Sequence, residues 1–341
     1  MDMLNGLLLV FLAGAMNGSF PLPMRYMRKW AWENIWTVWS IVALVVVPWL
    51  LAFLTVPRLA AVYSTCGLSA ILLPALFGFF WGVSAFTFGL SVQLVGMSLT
   101  FAVVNGLSSA IGSWVPLVVQ HPGKLFSPGG LIVSSGVIGV VGGVALCSWA
   151  GHLRSKQATN ESSAAGSNRA FWLGLAMAIT AGLFGPFLNL GFVFGQKIRA
   201  AALLQGSSPG LASNAVLAIV LTAGFFTNIA YCSYRLVKNR TGGLFAIAET
   251  KKYLLLSTIM GASWILAFAI YGSSATLLGQ YGTVVGWPMM MAFTTIVGSL
   301  LDIAGGNWSK RPLWLMAAGV VLLIGAVAVI SYGLFRLQQA P

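Results

Sequence analysis

Residues 81–96 read WGVSAFTFGLSVQLVG, and residues 264–279 read WILAFAIYGSSATLLG. The two stretches match 183 positions apart, counting from 81 to 264. The matched pairs are Trp81/Trp264, Phe88/Tyr271, Gly89/Gly272, Leu94/Leu277 and Gly96/Gly279. Because tryptophan is rarely matched by accident, we predict two related halves, although 40 glycines leave coincidence as the alternative. Paired halves inside a bilayer are a common construction of secondary transporters, which bind substrates between the repeats.

The composition is typical of a membrane protein. Hydrophobic residues make up 58% of the chain and charged residues 7%, whereas a soluble domain carries about 25% charged residues. A spanning helix needs about 20 mostly apolar residues, and no apolar stretch alternates as a β-barrel strand would. We therefore predict an all-α membrane protein with ten transmembrane helices. They cover residues 4–20, 35–54, 68–94, 98–119, 130–149, 170–194, 211–234, 253–278, 283–303 and 313–335.

The basic residues predict the orientation of these helices. Of the 18 Lys and Arg residues, the majority fall in the loops after the first, third, fifth, seventh and ninth helices. Loops rich in Lys and Arg face the cytoplasm, so both termini are expected outside. With an odd number of helices in each half, the second half would enter the membrane inverted. The sequence therefore predicts two inverted five-helix repeats.

A polar stretch near the midpoint divides the chain. We predict a first repeat over residues 1–150, a cytoplasmic linker over residues 151–168 and a second repeat over residues 169–341. The net charge of +13 lies in loops beside the helices, which favours orientation in a lipid bilayer over nucleic-acid binding. Monomer and dimer are both open.

Motifs for catalysis are missing from the sequence. There is no Gly-x-x-x-x-Gly-Lys-Ser/Thr phosphate loop. His121 and His152 stand apart, and the three cysteines lack the spacing of metal ligands. We therefore expect no enzyme, no metal and no cofactor other than a proton as coupling ion. The acidic residues are Asp2, Glu33, Glu161, Glu249 and Asp302.

Glu33 is the acidic residue that best fits proton coupling. It lies near the start of the second predicted helix, with Thr37 and Ser40 on the same face at i+4 and i+7. A group that is charged when exposed and neutral when occluded is what proton coupling requires. The alternative role is an ion pair with Lys29, four residues earlier.

Polar and aromatic residues within the helices are candidates for a substrate site. Gly and Pro interrupt the chain after Asn17 and before Asn189, and such breaks in matching helices of the two halves point to a binding site. Amides bind hydroxyl groups, and aromatic rings bind the C–H faces of a sugar. The candidate substrate-binding residues are Asn17, Trp36, Thr37, Trp81, Asn105, Asn189, Trp264, Tyr271, Gln280 and Tyr281. For each residue alone, helix packing or an interfacial position is the alternative role.

Residues 29–36, KWAWENIW, with the following Pro48-Trp49, resemble the second-helix signature of the L-rhamnose–proton symporter family. Further motifs follow the family's order over nearly the whole chain, among them Gly78-x-x-Trp81-Gly82 and Arg311-Pro312. The family belongs to the drug/metabolite transporter superfamily. The resemblance implies ten helices in two inverted five-helix repeats and import of a sugar with a proton. It also implies that Glu33 is the coupling residue, and that the protein lies in a bacterial inner membrane.

The chain departs from the family where the substrate is expected to bind. Ala85 and Thr87 stand where rhamnose-transporting members carry asparagines, and Ala267 stands where they carry a glutamine. An asparagine of their sixth helix falls near Val193. Each amide lost from a sugar pocket removes hydrogen bonds worth about 0.5–1.5 kcal/mol each. L-rhamnose, a related deoxyhexose and another monosaccharide therefore all remain open as substrates.

The expected mechanism is alternating access, in which a proton and a sugar bind near the membrane midplane and the halves rock to release both inside. One alternative is a proton-driven exporter of small metabolites or drugs on the same fold. Another is a membrane enzyme or receptor for a lipid-linked sugar, which would need a convergent acid pair or a basic phosphate clamp within the membrane.

Overall fold

The apolar segments of the sequence fold into helices. The computed structural model describes residues 2–95, 97–158, 168–304 and 308–339, and no β-strand occurs within those ranges. Their α-helices are α1 (Asp2–Ser19), α2 (Trp32–Ile41), α3 (Val47–Thr55), α4 (Leu59–Cys66), α5 (Leu68–Val95), α6 (Met97–Gln120), α7 (Pro128–Ala158), α8 (Asn168–Phe184), α9 (Phe187–Phe194), α10 (Gln196–Leu204), α11 (Asn214–Asn239), α12 (Thr250–Leu277), α13 (Gly282–Ala304) and α14 (Lys310–Gln339).

Ten helical stretches within the described ranges are long and apolar enough to cross a bilayer. They cover Met3–Tyr26, Trp32–Thr55, Leu68–Ser91, Val103–Gln120, Pro128–Leu153, Trp172–Leu204, Asn214–Asn239, Thr250–Leu277, Gly279–Leu301 and Lys310–Gln339. The predicted all-α membrane protein with ten transmembrane helices is therefore confirmed. The inverted relationship of its halves stays a prediction.

Two helix ends differ most from the sequence prediction. Helix α7 continues to Ala158, so the first eight residues of the predicted linker, 151–158, are helical. Leu, Arg, Lys, Gln and Ala in this stretch are good helix formers and extend a helix that has already begun. Residues 159–167, with Glu161, lie outside the described residues. The sixth predicted helix also continues, through α10 to Leu204.

Helices are interrupted near both candidate asparagines. After Asn17, α1 ends at Ser19 and a 3₁₀ turn follows over Leu22–Tyr26. Before Asn189, α8 ends at Phe184 and α9 begins at Phe187. Pro21 and Pro186 lie at these breaks and favour them, because the proline ring has no N–H and disfavours a helical conformation of the preceding residue.

The second span contains a wide turn. Residues Val42–Val46 form a π-helical turn between α2 and α3. Gly261 of α12 faces this turn, and a Cβ there would lie 3.0 Å from Val42 Cβ. A single π-helical turn inserts one extra residue into an α-helix, and such turns are frequent at functional sites.

The chain forms two compact units. The first contains Met1–Val83 and Phe187–Leu277, and the second contains Ser84–Pro186 and Leu278–Pro341. In the first unit α1 packs on α12, while α2 packs on α11 and α12. In the second unit α7 packs on α6 and α14. Each unit takes helices from both halves of the sequence, so this division differs from the repeats, which remain a prediction.

Candidate functional site

Five tryptophans of the first unit form a continuous series of ring contacts, here called the tryptophan ladder: Trp32, Trp36, Trp39, Trp264 and Trp81. Ring centroids lie 5.1 Å apart between Trp32 and Trp36, and 4.4 Å apart between Trp36 and Trp39. Trp39 then meets Trp264 edge-on at 5.1 Å. The first three rings share a side of α2 because they are spaced at i, i+4 and i+7.

The ladder ends in a stacked pair that joins α5 to α12. Trp81 and Trp264 lie 5.4 Å apart with an interplanar angle of 27°, and both side chains are buried. Phe268 extends the cluster, with its ring 4.4 Å from that of Trp264. Gly224 of α11 lies against the ring of Trp81, where a Cβ would come within 2.8 Å of Trp81 Cε3. A glycine is therefore needed for this close packing.

Polar groups border the ladder. Trp36 Nε1 donates to Asn228 Oδ1 at 3.3 Å, and Asn228 Nδ2 donates to the carbonyl oxygen of Gly224 at 3.0 Å. Trp39 differs, because its Nε1 is buried and has no hydrogen-bond partner within the described part of the chain. A buried donor without an acceptor costs about 1–3 kcal/mol, so this N–H is a candidate donor to a ligand oxygen.

Glu33 lies in the first turn of α2 and is 1% exposed. Its Oε1 accepts hydrogen bonds from Asn239 Nδ2 at 2.7 Å and from Thr241 Oγ1 at 2.9 Å. Its Oε2 lies 3.9 Å from Arg235 Nη2. Thr37 Oγ1 donates to the backbone oxygen of Glu33 at 2.7 Å. The carboxyl group is thus enclosed by two donors and one cation, all from the end of α11 and the residues that follow it.

Lys29 is not the partner of Glu33. Its Nζ forms an ion pair with Glu249, in the loop before α12. Lys29 precedes the first residue of α2, Trp32, so the i,i+4 spacing does not place it on the same helical face as Glu33. The ion pair raises the pKa of Lys29 and lowers the pKa of Glu249, in each case chiefly through the hydrogen bond between them.

A second polar contact joins α9 and α12 in the first unit. Tyr271 Oη donates a hydrogen bond to Asn189 Oδ1, and both side chains are fully buried. The ring of Phe192 meets Tyr271 edge-on at 5.7 Å. The structure therefore brings two predicted site residues into direct contact, while Asn17 is half-buried on α1.

Three predicted site residues belong to the second unit. Asn105 is half-buried on α6. Gln280 and Tyr281 lie in the 3₁₀ turn Gly279–Tyr281, between α12 and α13. Gln280 is exposed, whereas Tyr281 is 1% exposed with its ring 4.4 Å from that of His121. His121 Nε2 also lies 3.1 Å from the backbone oxygen of Gln280.

Comparison with known proteins identifies the family of the chain. The family model described as L-rhamnose-proton symport protein (RhaT) matches residues 2–336. The chain belongs to this family. An L-rhamnose-proton symporter of Escherichia coli (strain Crooks) is 27% identical over 335 residues, covering 95% of this chain and 96% of the relative. One of Shigella boydii serotype 18 is 26% identical over 335 residues, with the same coverage.

Four positions were expected from the sequence to differ from rhamnose-transporting members, and they divide between the two units. In the first unit, Ala267 on α12 and Val193 on α9 are both buried. In the second unit, Thr87 is buried and its Oγ1 donates to the backbone oxygen of Ser84 at 3.2 Å, while Ala85 is half-buried. The hydroxyl of Thr87 is thus engaged within its own helix.

The sequence prediction did not include five residues that belong to the ladder or enclose Glu33: Trp32, Trp39, Arg235, Asn239 and Thr241. Trp32 and Trp39 could have been found, because Trp32, Trp36 and Trp39 recur at the helical spacing i, i+4 and i+7. Asn239 and Thr241 carried no such signal. Asn239 is the last residue of a long apolar helix and Thr241 follows it, where polar residues are ordinary, and only the folded chain brings them to Glu33.

Proposed function

We propose that the protein imports L-rhamnose or a related monosaccharide together with a proton, by alternating access. One observation carries the proposal: α2 holds both the enclosed Glu33 carboxyl group and three rings of the tryptophan ladder. A proton site and an aromatic surface for a sugar are therefore built on the same ten-residue helix. Movement of α2 would affect both ligands at once.

The ladder has the chemistry that a sugar requires. Flat indole rings stack on the C–H faces of a pyranose, and a few placed polar groups bind its hydroxyls. Trp36, Trp81 and Trp264 stack on neighbouring indoles in this conformation, and we propose that their faces meet the sugar when alternating access separates them. Trp39 Nε1 supplies a buried donor. The other residues in the proposed substrate set are Asn17, Thr37, Asn105, Asn189, Tyr271, Gln280 and Tyr281.

Glu33 is proposed as the proton-coupling residue. Its carboxylate accepts two hydrogen bonds and faces Arg235. Hydrogen bonds to a charged acceptor are roughly twice as strong as neutral ones. Protonation would remove the charge that Arg235 faces and weaken the bonds from Asn239 and Thr241. The start of α2 would then be held less tightly to the end of α11, which links proton binding to a change in helix packing.

The chain is a multi-pass membrane protein. Membership in the symporter family supports a location in the bacterial inner membrane. The excess of Lys and Arg in alternate loops supports a topology with both termini outside and the linker in the cytoplasm.

Reconstitution into liposomes tests this function. We expect an inward proton gradient to drive uptake of labelled L-rhamnose. Glu33→Gln should abolish gradient-driven uptake while counterflow of preloaded sugar continues, because counterflow needs no net proton movement. Glu249→Gln is the matched control, since it removes a carboxylate that lies outside the spans and pairs with Lys29.

Two results would contradict the proposal in different ways. Normal gradient-driven uptake by Glu33→Gln would remove Glu33 from the coupling step but leave sugar transport intact. If the unaltered protein neither takes up nor exchanges L-rhamnose and related monosaccharides, the substrate class is wrong.

A further inference from the structure

Arg235 is a cation within the span Asn214–Asn239, one helical turn before the end of α11. Its side chain is only 22% exposed. A charged side chain in a membrane helix is costly, and such residues commonly mark ion pathways and proton relays. The position of Arg235 beside Glu33 therefore points to a part in the handling of the proton.

Arg235 contacts Glu33 without binding it tightly. Its Nη2 lies 3.9 Å from Glu33 Oε2, whereas a hydrogen bond between a guanidinium and a carboxylate is about 2.7–2.9 Å long. Its Nε is buried and has no hydrogen-bond partner among the residues that the structure describes. The contact is therefore not the two-bond fork that arginine forms with a carboxylate at full strength. It places a positive charge beside Glu33 but leaves Oε2 able to accept a proton.

A short series of contacts joins Arg235 to the tryptophan ladder. Tyr231, one turn earlier on α11, forms a side-chain hydrogen bond with Arg235. The ring of Tyr231 meets that of Trp32, the first ring of the ladder, edge-on at 6.2 Å. Tyr231, Arg235 and Asn239 are spaced at i, i+4 and i+8, so they share one side of α11. Arg235 thus lies between the ladder and the Glu33 carboxyl group.

The charge of a Glu33 carboxylate is balanced mainly by Arg235. Within the described ranges, Arg235 is the cation that lies within ion-pair distance of Glu33. Asn239 and Thr241 donate hydrogen bonds but carry no charge. The other titratable groups at this end of the first unit are Tyr231 and Cys232 on α11 and, toward the loops, Lys29, Glu249 and Tyr253.

We propose that Arg235 is the positioning residue that lets Glu33 release its proton. The proposal rests on the proposed coupling role of Glu33, but not on the identity of the sugar. When the proton passes from the carboxyl group to water, Arg235 compensates the negative charge that remains, because an opposite charge within about 4–6 Å favours the ionised form. Arg235 stays protonated throughout, so it neither gives nor takes the proton.

The protonation of Glu33 can be measured without any sugar. The infrared band of the protonated carboxyl group is titrated with pH in the reconstituted full-length protein, and Glu33→Gln identifies the band by removing it. We expect Arg235→Gln to move the midpoint upward by about one pH unit, the lower end of the effect of an adjacent opposite charge. Arg235→Lys should keep most of the original midpoint, because it keeps the charge. Lys238→Gln is the matched control, since it removes an exposed cation from the same end of α11.

Transport measurements separate proton release from folding. Arg235→Gln should lower gradient-driven uptake of labelled L-rhamnose about tenfold, which corresponds to one pH unit, because the proton leaves Glu33 too slowly inside the liposome. Counterflow of preloaded sugar should continue, since exchange needs no proton release. A more alkaline liposome interior should restore part of the gradient-driven uptake.

Three results would overturn the proposal, and they differ in what they leave standing. An unchanged midpoint of the carboxyl band in Arg235→Gln would remove Arg235 from proton release. Equal losses of counterflow and gradient-driven uptake, which an alkaline interior does not relieve, would reduce Arg235 to a structural support. Normal gradient-driven uptake by Glu33→Gln would instead overturn the coupling role of Glu33, and the role of Arg235 with it.

Discussion

Trp81 and Trp264 stack on one another at 5.4 Å, and they occupy matching positions in the two repeated stretches of the sequence. The clearest identity between the halves is thus also a direct ring contact within one compact unit. Trp264 is the centre of this contact, because it also touches Trp39 and Phe268. If the ladder binds the sugar, Trp264 is the ring whose removal should affect binding most.

Replacement of Trp264 tests this role. Trp264→Phe keeps an aromatic ring but removes part of the indole surface, so sugar affinity should fall about tenfold, or about 1.4 kcal/mol. Equilibrium binding of labelled L-rhamnose measures the effect. Trp314→Phe is the control, because that side chain is 76% exposed. Equal affinities for the Trp264 variant and the unaltered protein would exclude the ladder as the sugar site.

The indole N–H of Trp39 should contribute a hydrogen bond to the sugar. Trp39→Phe removes that donor and should weaken binding about fivefold, since a neutral hydrogen bond contributes about 1 kcal/mol. Trp49→Phe is the matched control, because Trp49 Nε1 already donates to Thr222 Oγ1 at 2.8 Å.

Deoxygenated sugars distinguish a direct contact from altered packing. A sugar that lacks the accepting hydroxyl should bind Trp39→Phe and the unaltered protein equally. If each singly deoxygenated sugar shows the same fold loss of affinity, relative to the complete sugar, in Trp39→Phe and in the unaltered protein, Trp39 Nε1 does not contact the substrate.

The bonds to Glu33 should stabilise the folded protein. Thr241→Val removes the hydroxyl that donates to Glu33 Oε1 while keeping the side-chain shape. We expect a loss of about 1.5–3 kcal/mol, the range for a hydrogen bond to a charged group. In the Glu33→Gln background the same substitution should cost less, because the acceptor is neutral. Additive effects in this double-mutant cycle, measured by unfolding in denaturant, would show that the two residues act independently.

The hydrogen bond from Tyr271 to Asn189 should stabilise the folded protein. Tyr271→Phe removes one donor from a fully buried amide, and buried polar groups that lose a partner cost about 1–3 kcal/mol. The melting temperature should fall accordingly. Tyr332→Phe is the control, because the Tyr332 side chain is 52% exposed. An unchanged melting temperature for Tyr271→Phe would mean that the hydroxyl of Tyr271 contributes no net stability.

The ion pair of Lys29 and Glu249 should make stability depend on pH. The pair lowers the pKa of Glu249 below 4.5, so its contribution is present above that value and is lost as pH falls through the lowered pKa. It raises the pKa of Lys29 above 10.5, so the contribution is also lost as pH rises through the raised pKa. The difference in melting temperature between the unaltered protein and Glu249→Gln should therefore be largest at about pH 7. A difference that persists unchanged in acid would contradict the ion pair.

Much of the fold could be predicted from the sequence because the bilayer imposes simple rules. A run of about 20 apolar residues has few structures available other than a helix, and all ten spans followed from this requirement. Helix ends were harder to predict. Residues 151–158 are polar, yet they continue α7 because they are good helix formers next to an established helix.

The partners of Glu33 could not be predicted, because they depend on distant parts of the chain. Local spacing suggested Lys29, whereas the folded chain brings Asn239 and Thr241 from more than 200 positions away. A single sequence predicts which helices form, but it does not show which helix ends come together in the fold. Trp81 and Trp264 were recognised because they match 183 positions apart, whereas Asn239 and Thr241 have no such match.

The π-helical turn at Val42–Val46 has a consequence for the part of the second span beyond it. Conversion of that turn to ordinary α-helix would remove one residue from the turn, which rotates α3 about 100° around its axis and translates it about 1.5 Å. Trp49 and its bond to Thr222 lie beyond the turn, whereas Glu33 and Trp39 lie before it. A change in the winding of this turn would therefore reorient the end of the second span that carries Trp49 relative to the end that carries Glu33.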